Sequence, residues 1–123
     1  MQYGAYRAAL TAATTTTGGA VLSIANPEGV KLLITRFILH ITTASDGAAT
    51  VDAGVAANGT TSADTLIDGK SVATAGAFDN ITDKGSNGLP LREWGTSQYV
   101  TVTASATLAG MVGYAYIEYL RTE

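Results

Sequence analysis

The stretch Tyr99-Val100-Thr101-Val102-Thr103-Ala104-Ser105-Ala106-Thr107 decides the fold class, together with Met111-Val112-Gly113-Tyr114-Ala115-Tyr116-Ile117-Glu118-Tyr119-Leu120 after it. Val100, Val102, Ala104 and Ala106 alternate with Thr101, Thr103, Ser105 and Thr107, the two-residue period of a pleated strand. The runs are joined only by Leu108-Ala109-Gly110, and glycine beside so short a connection predicts a hairpin. In the second run Tyr114, Tyr116 and Glu118 fall on one side, with Ile117 and Tyr119 on the other. One side is expected in the core and the other on a contact surface.

Composition extends this to the whole chain. Its 123 residues make one domain, long enough to bury a real core. Threonine is abundant, 14 residues are glycine and only 14% are charged, so the class is all-β and the surface is built of small neutral side chains. Such a surface suits packing against another subunit. The net charge of −3 and the scattering of the seven basic residues argue against a nucleic-acid partner. With no cysteine there is no disulfide framework and no thiolate metal site. No run approaches the roughly 20 apolar residues of a membrane helix, and the N-terminus lacks the layout of a secretory signal. The expectation is a chain made in a host cytoplasm, with no membrane partner.

Upstream, residues 1–19 are expected to form an extended N-terminal arm and residues 20–123 the β-sandwich domain. Thr14 to Thr17 followed by Gly18-Gly19 disfavour a helix and suit an extended arm or an edge strand, of which the arm is the reading taken. Tyr3, Tyr6 and Arg7 are the arm's contact candidates. Ala20 to Ala25 reads as a short strand, and Asn26-Pro27-Glu28-Gly29 as a turn.

Val30 to Thr42 is the most apolar run. Val30, Leu32, Ile34, Arg36, Ile38 and His40 form one face; Lys31, Leu33, Thr35, Phe37, Leu39 and Ile41 form the other. Large hydrophobes on both faces leave two options: a central strand buried on both sides, or one face in the core and one against a neighbouring copy. A domain this small does not hold three stacked layers, which favours the neighbouring copy and makes Leu32, Ile34 and Ile38 interface candidates. Ala48 to Ala56 is a further alternating strand. Asn58 to Gly88 lacks strong periodicity and is read as a functional or interfacial excursion.

Candidate chemistry is sparse. His40 is the only histidine and is expected as a strand-end side chain with a satisfied polar tip. Asp64, Asp68, Asp79 and Asp83 offer oxygen ligands for calcium, but they match no EF-hand spacing and serve equally as turn formers. Gly85-Ser86-Asn87-Gly88 lacks the Lys-Ser/Thr of a phosphate loop. No catalytic, metal-binding or cofactor-binding residue is assigned; the chain is not expected to be an enzyme or to use a cofactor. Trp94, Tyr99, Tyr114, Tyr116 and Tyr119 are the best interaction candidates.

The run from Ala48 to Gly69, the segment Phe78-Asp79-Asn80-Ile81-Thr82-Asp83-Lys84-Gly85 and the terminal Tyr-Val-Thr-Val-Thr-Ala and Gly-Met-Val-Gly-Tyr-Ala-Tyr-Ile-Glu-Tyr runs resemble small structural proteins of tailed-bacteriophage head-gene clusters. The resemblance spans roughly residues 30 to 120. It implies a jelly-roll-type β-sandwich, assembled as a homotrimer on the capsid exterior of the virion, where it acts as a decoration or cement protein bound to the major capsid protein. It carries no catalytic residues. Tyr3, Tyr6, Arg7, Leu32, Ile34, Ile38, Tyr114 and Tyr116 are the interface residues expected on this view. The alternative is a carbohydrate- or receptor-binding module of a fibre or tail, with Trp94 or tyrosine rings exposed in a groove.

Overall fold

The computed structural model describes residues 3–13 and 18–122, and among these the chain is all-β, with nine strands and no helix. The strands are β1 (Tyr3–Ala9), β2 (Gly19–Ala25), β3 (Leu32–Thr43), β4 (Thr50–Ala56), β5 (Ile67–Ser71), β6 (Gly76–Asp79), β7 (Arg92–Trp94), β8 (Tyr99–Ala104) and β9 (Val112–Arg121). They form two antiparallel sheets packed face to face. One has the order β1-β9-β3-β6, with β7 also paired to β3; the other has the order β2-β8-β4-β5. Val51, Ala53, Val55, Val100 and Val102 of the second sheet meet Leu32, Phe37, Leu39, Ala115 and Ile117 of the first in one apolar core.

Three expectations are corrected. First, residues 3–9 do not stand off as an arm: β1 is an integral edge strand, paired with β9 from Tyr3↔Leu120 to Ala9↔Tyr114. The boundary at residue 19 therefore does not separate an arm from the sandwich. Gly4 makes this docking possible, because a Cβ there would lie 2.6 Å from the Tyr119 ring packed over it. The threonines 14–17 lie outside the described residues.

Second, β8 and β9 do not form a hairpin. Both sides of β8 are taken by β2 and β4, and both sides of β9 by β1 and β3. The connection carries the chain from one sheet to the other. Leu108 is fully buried there and donates its N–H to the Ala13 carbonyl, while the Ala109 carbonyl accepts from Asp46 N–H at 2.8 Å. Burying Leu108 and Met111 between the layers outweighs the local turn signal of Gly110, whose φ of 80° is used to round the corner instead.

Third, Val30–Thr42 is not one unbroken strand with large hydrophobes shared evenly between two faces: most of them turn to the core, and Leu33 and Ile38 stay on the outer face. The pairing of β3 with β9 skips Thr35, so Ile34 faces Tyr119 while Arg36 faces Glu118; a second skip falls at Thr42. One extra residue reverses the side-chain phase. Leu32 and Ile34 before the first bulge point inward, and so do Phe37, Leu39 and Ile41 after it. Each bulged threonine returns its hydroxyl to a β9 carbonyl, Thr35 to Glu118 at 3.2 Å and Thr42 to Val112 at 3.1 Å.

The excursion over residues 58–88 contains two strands that the sequence pattern did not reveal, β5 and β6. Its other ordering element is Asn80, fully buried at the edge of the first sheet. The Asn80 side-chain oxygen accepts from Phe37 N–H at 2.8 Å, and its amide donates to the carbonyls of Leu89 and Pro90.

Candidate functional site: the uncovered face of the first sheet

The two sheets treat their outer faces differently. On the second sheet, the chain from Thr61 to Thr65 crosses the outside: Thr101 Oγ1 donates to the Thr61 carbonyl, and Val55 N–H donates to Thr65 Oγ1. Thr101, an outward residue, is buried as a result. Among the described residues no such segment lies over the outer face of the first sheet.

That face is ordered by register into rows running β3–β9–β1: Leu33–Leu120–Tyr3, Arg36–Glu118–Ala5, Ile38–Tyr116–Arg7 and His40–Tyr114–Ala9. Directly paired residues share a face, so aromatic rings, aliphatic chains and a few charges occur together. Tyr3 Oη donates to Glu118 Oε2 at 3.0 Å, and that carboxylate, with smaller contributions from burial and charge, pushes the Tyr3 phenol above its ordinary pKa. The Arg7 guanidinium lies 4.3 Å above the Tyr114 ring. His40 and Tyr116 are tilted partners 6.5 Å apart. Ala5, short between Tyr3 and Arg7, leaves a dent of about 300 Å³ bounded by Arg7, Ile38, Tyr116 and Glu118.

The rim is held by Arg36 and Asp79, 2.9 Å apart. Asp79 also accepts N–H bonds from Ile81 and Thr82, both at 2.8 Å, so it caps the turn after β6. The Thr82 N–H first, then Ile81, the Thr82 hydroxyl and Arg36, hold its carboxyl below the ordinary value against the opposing effect of burial. The other acids are also tied to turns. Asp83 accepts from Asp79 N–H at 3.0 Å and pairs with Lys70 at 3.1 Å; Asp52 accepts from Gly69 N–H at 2.7 Å. Burial pushes Asp52 upward; Gly69 N–H opposes this, and the Asp68 and Asp64 charges add to it.

Of the residues expected at an interface, Tyr3, Arg7, Ile38, Tyr114 and Tyr116 are brought together here. Tyr6 has the opposite parity; it sits on the inner side of β1 but at the sandwich edge, 38% exposed. Leu32 and Ile34 are corrected: both are fully buried in the core. Trp94 is corrected too, being fully buried with its Nε1–H donating to the Gln98 carbonyl at 3.0 Å and its ring edge-on to Tyr119. Tyr119 lies inside as well. Burial first, and then its 2.7 Å bond to Glu28, push its phenol up to about 12.

Sequence reasoning placed Glu118 beside Tyr114 and Tyr116 but missed Ala5, Leu33 and Leu120 as members of this face. The same alternation of β9 extends to Leu120, whereas the bulge at Thr35 hid Leu33. No family model matches the chain, and none of the curated proteins matches it.

Proposed function

We propose that this chain is a structural virion protein that decorates the outside of a tailed-phage capsid and ties major capsid subunits together through the uncovered face of the β1-β9-β3 sheet. The observation that carries this is the face itself: Tyr3, Tyr114, Tyr116, Ile38, Leu33 and Leu120 lie side by side, with Arg7, Arg36 and Glu118 among them and no covering layer among the described residues. Aromatic anchors in a mixed apolar field are what protein interfaces use. Many weak copies of one contact across a shell add up to strong retention.

The jelly-roll expectation is supported by the strand order. Consecutive strands cross between the sheets at every connection except β4–β5 and β6–β7, giving β1-β9-β3-β6 over β2-β8-β4-β5. The trimer implied by the resemblance loses its residue argument, because Leu32 and Ile34 are core.

The test is co-sedimentation with empty capsids assembled from the major capsid protein of a tailed phage that encodes this chain. Wild type should pellet with them at saturating stoichiometry, and Tyr116→Ser or Ile38→Ser should stay in the supernatant with an unchanged circular dichroism spectrum. No binding by the wild type would sink the proposal. The fibre or tail alternative loses Trp94 as a platform but keeps the Tyr3, Tyr114 and Tyr116 rings beside the Ala5 dent. A glycan array with hits that Tyr116→Ser removes would move the assignment there.

A further inference from the structure

The four sheet edges are not equally guarded. β6 and β7 are only four and three residues long, with Pro90 just ahead of β7. β5 is five residues long, meets β4 across a register break and carries Gly69 at φ 75°. β2 is broken between Ala20 and Leu22, and its Val21 carbonyl already accepts from Thr11 N–H at 3.0 Å. Shortness, bulges, proline and crossing chain are the devices that keep an edge from pairing with another molecule. β1 has none of them. It runs seven residues in unbroken register with β9, and its single charged side chain, Arg7, is laid over Tyr114 rather than across the edge.

The backbone groups on that edge are identifiable. Leu10 N–H donates to the Gly113 carbonyl, continuing the ladder to β9, and Thr11 N–H turns the other way. By the strand period, the N–H and C=O of residues 4, 6 and 8 face β9, and those of 3, 5, 7 and 9 face outward. Among the described residues nothing pairs with this outer edge.

We infer that this edge is a self-pairing site: two copies join β1 to β1 antiparallel about a two-fold axis at Tyr6, making one continuous sheet. Three symmetric registers compete. Centring on Arg7 sets two guanidinium groups face to face, and centring on Ala5 leaves Ala8 and Ala9 without partners among the described residues. Centring on Tyr6 uses the whole strand and sets Ala5 opposite Arg7 of the second copy, on the outer face. The outward-facing residues then exchange on the order of eight N–H···O=C bonds.

Shape and charge agree with that register. The dent over Ala5 is bounded by Glu118, whose Oε2 is taken by Tyr3. On pairing, Arg7 of the second copy swings from its own Tyr114 ring across the dent to the Glu118 carboxylate, and symmetry makes this contact twice. The two Tyr6 rings, exposed at the edge in a single copy, meet at the axis in a non-hydrogen-bonded pair, where side chains approach closely. Pairing about this axis keeps both outer faces on the same side, so it is compatible with capsid binding but does not rest on it.

The experiment uses the full chain, which has no cysteine of its own. Sedimentation velocity from micromolar to roughly millimolar concentration should show a reversible monomer–dimer equilibrium. Tyr6→Cys should cross-link to dimer under mild oxidation, because opposed Cα atoms in such a pair lie about 4.5 Å apart, whereas Tyr3→Cys should not. Arg7→Glu should weaken association at least tenfold, and adding Glu118→Arg should restore it. Ala5→Pro removes an outward N–H while sparing the β9 ladder, and should give a folded monomer. A monomer throughout the range, a trimer, equal cross-linking of Tyr3→Cys, or a dimer indifferent to both Arg7→Glu and Ala5→Pro would each overturn the inference.

Discussion

The outer faces of the two sheets carry opposite solutions to one problem. The β2-β8-β4-β5 sheet presents Asp52, Gly54, Thr101 and Thr103 outward, small enough for the chain from Thr61 to Thr65 to lie directly on them. Gly54 sets the closeness of that approach, since a Cβ there would stand 2.7 Å from Thr65 N and 2.8 Å from Ala63. The β1-β9-β3 sheet presents Tyr3, Tyr114, Tyr116, Leu33 and Ile38 and has no such cover among the described residues. Small residues let a sheet be closed by its own chain. The large aromatic ones of the other sheet carry no such segment among the described residues, and the proposed contact surface rests on this asymmetry.

The largest way to break the contrast is to force the covered face open. Gly54→Val should cost about 3 kcal/mol, because the backbone of Thr65 and Ala63 must be displaced along with its hydrogen bonds. A denaturant titration with unchanged slope would check it.

Next in size is the rim of the open face. Asp79→Asn keeps an acceptor for the turn but loses the charge, and should cost about 1–2 kcal/mol. The half-exposed Arg36 contributes little of this because solvent screens it. The Asp79 carboxyl is held below its ordinary value in the folded state, so its stabilisation is present above that value and is lost as pH falls through the lower, folded one. Melting temperatures of wild type and Asp79→Asn should therefore differ at pH 7 and converge in strong acid.

The smallest stability effect sharpens the comparison instead. Tyr116→Ser on the open face should change monomer stability by no more than about 1 kcal/mol while abolishing capsid co-sedimentation. A large loss of stability would mean that Tyr116 is a packing residue after all.

What could be read from sequence follows from how local each signal is. The alternation in 99–107 and 111–120 gave both strands and the correct face for Tyr114, Tyr116 and Ile117, because a two-residue period is a property of the strand alone. Whether the two strands are neighbours depends on what else competes for their edges, and Leu10, Ala13 and Asp46 bear on that from far along the chain. In β3 the sequence does hold a trace of the bulge: the large inward residues change parity across Thr35-Arg36, from Leu32 and Ile34 to Phe37, Leu39 and Ile41. Taken as one unbroken strand, that change looks like grease on two faces. β5 and β6 were invisible because their short runs, such as Ile67-Asp68-Gly69-Lys70-Ser71, are polar edges held by pairing rather than by hydrophobic period.

The pairing of the first strand with the last sets the order in which the molecule can form. Tyr3 and Glu118 touch although they stand 115 positions apart, and the Tyr119 ring packs over Gly4. During synthesis β1 emerges ahead of the other described strands and must wait for its partner until β9 has left the ribosome. Closing so long a loop puts this contact among the late and slow events of folding.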